Sequence, residues 1–274
     1  MDQHGTHPSS ARWSDLSWPE IDALDRDRTV LLLPTGAVEQ HGPHLPVDTD
    51  IHNAFELALR TAGASATPIV VLPPVWWGMS PHHMGYPGTI SLRLETYSAL
   101  VVDICAAVAH HGFRRVLIVN GHGGNVAILG ATALRISEEL GLFVGVVSYW
   151  QLIVSQLRAI GASEPGGMGH ACEMETSLQL HLRPELVSMA AARKDVPRPL
   201  TRYSAIDFRD PGPLLIALDF RRDSSEGVMG DPSLATHEKG GVIADAVVDE
   251  LTRVVEAFAQ APLDGVAAAA RIDS

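Results

Sequence analysis

Residues 29–33 read TVLLL, a β-branched and aliphatic run stopped by Pro34, and that run decides the fold. A strand that is apolar at every position, with no polar alternation, is buried on both faces, as strands of parallel sheets are. Three more runs share its character: IVVL at 69–72, halted by Pro73 and Pro74, RVLIV at 115–119, and FVGVV at 143–147. Between them the apolar residues fall at three- and four-residue steps, as Tyr97, Leu100, Val101, Ile104 and Val108 do. That spacing predicts helices over 51–61, 94–109 and 127–140. Strands alternating with helices give an α/β domain whose parallel sheet is covered on both faces. A last helix is expected over 242–258, with Ile243, Val247, Leu251, Val254 and Phe258 on its apolar stripe. Residues 192–236, rich in proline, glycine and charge, read as a surface excursion with a short strand near 214–218. Trp76 and Trp77 read as core. The domain spans 28–260, between an N-terminal extension, 1–27, and a flexible tail, 261–274, with both ends frayed.

The 274 residues suffice for one or two domains. With 46% hydrophobic and 19% charged residues, disorder throughout is excluded. The 20 Lys and Arg against 32 Asp and Glu leave a formal charge of −12, the wrong sign for non-specific nucleic-acid binding. No apolar run reaches the ~18 residues of a membrane span. The start, MDQHGTHPSSARWSD, has neither the basic nor the apolar segment of a secretory signal. Two cysteines, Cys105 and Cys172, cannot staple a fold of this size, so a cytoplasmic setting is expected. The 13 histidines are the unusual count, and they point to chemistry where they cluster with acids.

In an open parallel sheet, ligands collect in the loops after the strand carboxyl ends. Those loops read TGAVEQHGPHLPVDTDIH at 35–52, NGHGGN at 120–125 and, further on, EPGGMGHACEMETS at 164–177. The first holds Glu39, His41, His44, Asp48 and Asp50. Glu39 and His41 are two apart, so an extended backbone sends both to one side. Asp50 stands at a helix start, where it can cap the helix and lend an oxygen to a metal. His122 lies among glycines that let backbone approach closely. Imidazole mixed with carboxylate suits zinc, manganese or iron(II), and two ions sharing one carboxylate fit three acids and two histidines. Plainer readings stand beside these: surface histidines, Asp48 and Asp50 as helix caps, and GHGGN as a phosphate cradle. Against the cradle, Val126 stands where G-x-G-x-x-G needs its last glycine. No G-x-S-x-G occurs, and Cys172 reads as a small buried hydrophobe.

The stretches GAVEQHGPHLPVDTD (36–50), VNGHGGN (119–125) and GHACEMETSLQLHLRPELV (169–187) resemble the creatininase family. So do PHHMGYPGTISL (81–92) and GVMGDPSLAT (227–236), and the order is kept across about 28–258. The resemblance implies a three-layer α/β/α sandwich with a mostly parallel central sheet, a dinuclear metal hydrolase, and a homo-oligomer, usually a hexamer. By motif position it implies Glu39, His41, Asp50 and His122 as metal ligands, with Asp50 as the bridge. It implies His170 as the catalytic histidine, and Ser80 and Trp150 as residues that position the substrate. Two divalent ions per subunit are expected, zinc first, with manganese or iron(II) as alternatives.

The chain also departs from creatininase proper. Gly123 and Gly124 replace a Tyr and a Glu after the second-loop histidine, and Gly166 replaces a tryptophan, so creatinine is expected to be a poor substrate. The lost Glu is a ligand there, and Glu173, three places after His170, is expected to fill its slot. Glu175 is read as a first-turn helix acid. Glu173 is also expected to set this chain apart from the mycofactocin-associated peptidases of the family. The expected function is hydrolysis of a small cyclic amide or formamide by a hydroxide bridging two metals, with His170 passing a proton to the leaving nitrogen. Rival readings are the opening of an oxidised cyclitol or sugar ring or a lactone on the same metals, and binding without catalysis. The expected partner is a small molecule, with neither nucleic acid nor membrane.

Overall fold

A computed structural model describes residues 10–204 and 206–263. Four parallel strands, β1 (Val30–Thr35), β2 (Ile69–Val71), β3 (Arg115–Asn120) and β4 (Phe143–Ser148), lie in the order β2-β1-β3-β4. Val30 registers with Ile69 on one side and Arg115 on the other, and Arg115 with Phe143. Pro34 does not stop β1 as expected but sits inside it, opposite Val119. Its carbonyl accepts from the Val75 N–H, so its nitrogen faces the β2 edge, where Pro73 and Pro74 have already ended the ladder. The missing N–H therefore costs no bond to β3.

The helices are α1 (Trp18–Asp22), α2 (Thr49–Ala64), α3 (Leu94–His110), α4 (Val126–Leu140), α5 (Tyr149–Leu152), α6 (Val154–Ile160), α7 (Glu173–Leu182), α8 (Phe220–Asp223) and α9 (His237–Gln260). Alternation along the strands sorts the core into two layers. Leu31, Leu33, Val116 and Ile118 pack with Tyr97, Val101 and Cys105 of α3 and Leu129 and Ile136 of α4. Val30, Leu32, Leu117 and Val119 pack with Ala58 of α2 and Leu251 and Val255 of α9. Each fully buried aliphatic side chain contributes roughly 1.5–3 kcal/mol, so these two faces hold the α/β/α sandwich together.

Elsewhere the structure goes beyond the sequence reading. The last helix begins at His237, not 242, because the Thr236 side chain caps it by accepting from the Lys239 N–H, and Gly240 and Gly241 disguise its first turn. α7 shows no apolar stripe, since Glu173, Glu175, Thr176, Ser177 and Gln179 are all buried. Strand β5 (Met168–His170) pairs antiparallel with β6 (Met229–Gly230), too short a pair to show a period. The strand expected near 214–218 does not form, and Leu215 is exposed. Trp76 and Trp77 are not core but 45% and 44% exposed. From residue 10 the N-terminal extension packs on the sheet edge: the Ala11 carbonyl accepts from Val71, and Trp13 meets Phe113 edge-on at 5.5 Å. Residues 1–9 of that extension, and the expected tail beyond 263, lie outside the described residues. No helix among the described residues is long and apolar enough to cross a membrane.

The chain leaves β1 toward β2 on one side and β3 toward β4 on the other. Connections that diverge in this way open a crevice outside the carboxyl ends of the two central strands.

Candidate metal centre

The loops leaving β1 and β3 meet over that crevice. Glu39 and His41 come from the first loop, Asp50 from the first turn of α2, and His122 from the second loop. His170 ends β5, and Glu175 lies in the first turn of α7. All six are buried. His41 Nε2 stands 3.0 Å from Asp50 Oδ1 and 3.9 Å from Glu175 Oε1. His122 Nδ1 stands 3.0 Å from Asp50 Oδ2 and 3.3 Å from Glu39 Oε1. Asp50 thus meets the two histidines with separate oxygens. His170 Nδ1 lies 3.8 Å from Glu39 Oε1. Ala171, with φ 49°, occupies the left-handed region that disfavours side chains. This costly turn joins the strand carrying His170 to the helix carrying Glu175.

The far side of each imidazole is fastened to backbone. His41 Nδ1–H donates to the Glu39 carbonyl at 3.1 Å, and His170 Nε2–H to the Gln40 carbonyl at 2.9 Å. His122 Nε2–H is shared between the Met79 carbonyl and Ser80 Oγ, each at 3.2 Å. A carbonyl oxygen only accepts, so these nitrogens carry protons and the opposite nitrogens face the acids.

The charges compensate one another. Burial opposes a charge on His41, but Asp50, with Glu175 and Glu39 behind it, raises its pKa to about 10. Burial likewise opposes a charge on His122, and Glu39 and Asp50 override it, holding the ring well above the usual range. Burial works against the Asp50 carboxylate too, yet His41 and His122 hold it below the ordinary value. Glu175 is pushed up to about 7, chiefly by burial, with Asp50 and Glu39 repelling it and His41 pulling the other way. His170 is held neutral by burial and then by the charge on His41.

Of the residues singled out from sequence, Glu39, His41, Asp50, His122 and His170 converge. Glu173 does not join them: its carboxylate accepts from the N–H groups of Ala162, at 3.0 and 3.1 Å, and Ser163, at 2.9 Å, and pairs with Lys239. Its neighbour Glu175 faces His41 instead. The reading of Glu175 as a first-turn acid holds for one oxygen, Oε2, which accepts from the Cys172 N–H at 3.3 Å. Ser80 stands behind His122. Trp150 is buried, with the rings of Tyr149 and Phe208 each 5.3 Å from its own. Asp48 forks onto Arg183 at 2.9 and 2.8 Å rather than capping α2, and His44 meets Thr176 Oγ1 at 3.0 Å. Cys172 is a buried free thiol in a core cluster, as expected.

Sequence reasoning missed His82 and His83, although PHHMGYPGTISL carried them. His83 Nε2 lies 3.2 Å from Glu39 Oε1, and His82 stacks on His122 at 5.7 Å. Gly124 is where a side chain cannot return: a Cβ there would overlap His122 Nε2 and the Met79 carbonyl oxygen.

The chain matches the creatininase family, described as creatinine amidohydrolase, over residues 14–255. It is 34% identical to the mycofactocin precursor peptide peptidase of Mycobacterium tuberculosis (strain ATCC 25618 / H37Rv), covering 86% of this chain and 88% of that one. It is 27% identical to the creatinine amidohydrolase of Pseudomonas putida, covering 88% and 94%. A mutant creatininase of Zn–Zn type is similar in structure, with a TM-score of 0.77 at 27% identity, covering 91% of this chain and 99% of that one. Family pattern, sandwich and clustered acids and histidines agree along nearly the whole chain, which therefore belongs to the creatininase family of hydrolases.

Proposed function

We propose that the chain hydrolyses an amide C–N bond at a centre that holds two divalent cations. One observation carries this reading: three imidazoles with their backs on carbonyls face three carboxylates in a buried space, where Glu39 Oε2 has no hydrogen-bond partner among the described residues. Buried acids at this density are costly unless protons or cations neutralise them. Imidazole nitrogens fixed from behind by a second hydrogen bond are the usual preparation for a metal. Glu39 and His122 would hold one cation and His41 and Glu175 the other, with Asp50 between them and Glu175 in the role expected of Glu173. This nitrogen and oxygen set suits zinc, with manganese or iron(II) as alternatives. When bound, the cations supply an acidified water and polarise the substrate carbonyl.

His170 presents an unprotonated Nδ1 to the centre, so it can take a proton and return it to the leaving nitrogen. Phe220 stacks on His83 at 3.9 Å and meets His170 edge-on at 4.8 Å, which keeps water from that flank. Ser80, hydrogen-bonded to His122, and Trp150 are the residues we propose to position the substrate. The proposed substrate is a small cyclic amide or a formamide, with creatinine disfavoured by Gly123 and Gly166. A peptide amide is the second reading, supported by the identity with the mycobacterial peptidase. Glu173 does not count against it, because Glu173 lies outside the centre. A hexamer belongs to the same proposal, with exposed Met84 and Leu94 and half-exposed Trp76 and Trp77 as apolar surface for assembly. The test is a panel of cyclic amides, formamides, short peptides and lactones, run before and after chelation and after zinc is restored. Amide turnover that chelation abolishes is expected; turnover that survives it, or turnover of lactones alone, contradicts the reading.

A further inference from the structure

Gln40 lies in the chain between Glu39 and His41, and its amide is fixed without ambiguity. The Gly42 N–H donates to Gln40 Oε1 at 2.9 Å, and a backbone N–H can only donate, so the other end of the amide is the NH2 group. Gly227, at φ +70°, leaves the space this requires, since a Cβ there would overlap Oε1. Gln40 Nε2 then stands 2.9 Å from His83 Nδ1. The NH2 group has only protons to offer, so His83 Nδ1 accepts and the ring proton sits on Nε2, 3.2 Å from Glu39 Oε1. Phe220 stacks on the same ring, and His83 is 1% exposed. Gln40 Nε2 is also 3.1 Å from His170 Nε2. That nitrogen already gives its proton to the Gln40 carbonyl and cannot accept, so of the two rings His83 is the one that takes an amide proton.

Distance alone groups Glu39, His83 and His170 as possible ligands of one ion. The tautomer argues otherwise for His83, because one nitrogen is engaged as an acceptor and the other carries a proton. We infer that Gln40 and His83 form a positioning relay: the amide holds His83 as the Nε2–H tautomer, and His83 donates to Glu39 Oε1, the oxygen that also stands 3.3 Å from His122 Nδ1, which fixes that carboxylate at the centre. The relay rests on the proposed function only in taking Glu39 as a ligand.

Long-range proton–nitrogen NMR on the metal-free, full-length chain reads the tautomer directly, with the His83 signal identified by its absence from His83→Asn. The expected wild-type ring is bare at Nδ1 and protonated at Nε2. Gln40→Glu keeps the size but offers only an acceptor, so the tautomer is expected to reverse. Zinc affinity, measured by competition with a chromophoric chelator, is then expected to fall about 10–100-fold, the usual loss when a ligand's supporting hydrogen bond is broken. A wild-type ring protonated at Nδ1 overturns the relay, whether or not any variant folds. So does a Gln40→Glu protein with tautomer and affinity both unchanged. A reversed tautomer with unchanged affinity supports the hydrogen-bond relay and overturns Glu39 as a ligand.

Discussion

Glu173 and Glu175 stand two residues apart in the first turn of α7 and send their carboxylates into different surroundings. Two steps along an α-helix rotate a side chain by about 200°. Glu173 is thereby delivered to Lys239 and the Ala162–Ser163 backbone, and Glu175 to His41. Counting from His170 along the chain picks out the first acid; the helical turn selects the second.

Glu175→Gln is therefore expected to lower the zinc bound per chain, and Glu173→Gln to keep the wild-type complement. Elemental analysis of both variants side by side decides it. Zinc lost from Glu173→Gln alone would return that residue to the centre.

Glu173 is instead expected to act on stability. Burial disfavours its charge, but Lys239 and the two backbone N–H groups outweigh burial and hold its carboxyl below the ordinary value of 4.5. As the pH falls, the unfolded chain takes up this proton first. The contribution is thus complete above about pH 4.5 and is lost as the pH drops through the lower folded value. Glu173→Gln should melt lower at neutral pH, by about 1–3 kcal/mol for a broken buried hydrogen-bond set, and its Tm should fall less steeply in acid. Parallel Tm profiles would contradict this assignment.

Gly124→Glu would restore the acid found at this place in creatininase proper, yet it is expected to lose metal and stability together. Its Cβ would overlap His122 and the Met79 carbonyl oxygen, and His82 crowds the same space. Overpacking of this kind costs about 1–3 kcal/mol. Zinc content and Tm measured on one preparation test it; a stable variant with normal zinc would show that the loop yields.

The parallel sheet was legible from TVLLL, RVLIV and their partners because apolar runs buried on both faces need no context. The convergence of Glu39, His41, Asp50 and His122 was legible because loops after parallel strands must meet. The extent of α7 was not, since Glu173, Glu175, Thr176, Ser177 and Gln179 are buried beside Met174 and Leu178 and leave no apolar stripe to read. Glu175 and His83 were missed for a related reason. Their importance lies in rotation and tautomer, which hydrogen bonds to Cys172 and Gln40 set, and no spacing encodes either.

His170→Ala is expected to keep its metals while losing about 10²–10⁴-fold in rate, the usual worth of a placed proton-transfer group. Its nearest site carboxylate contact is 3.8 Å, longer than those His41 and His122 make with Asp50. Metal analysis alongside kcat separates the roles, and zinc lost together with rate would make His170 a ligand.

Asp50 meets His41 with one oxygen and His122 with the other, both at 3.0 Å. The most direct measurement is the zinc stoichiometry of the metal-free chain titrated with zinc, for wild type and Asp50→Ala together. Two equivalents per wild-type chain and loss of both in Asp50→Ala are predicted. A wild-type chain that saturates at one equivalent, or an Asp50→Ala chain that still holds two, would contradict the two-cation centre.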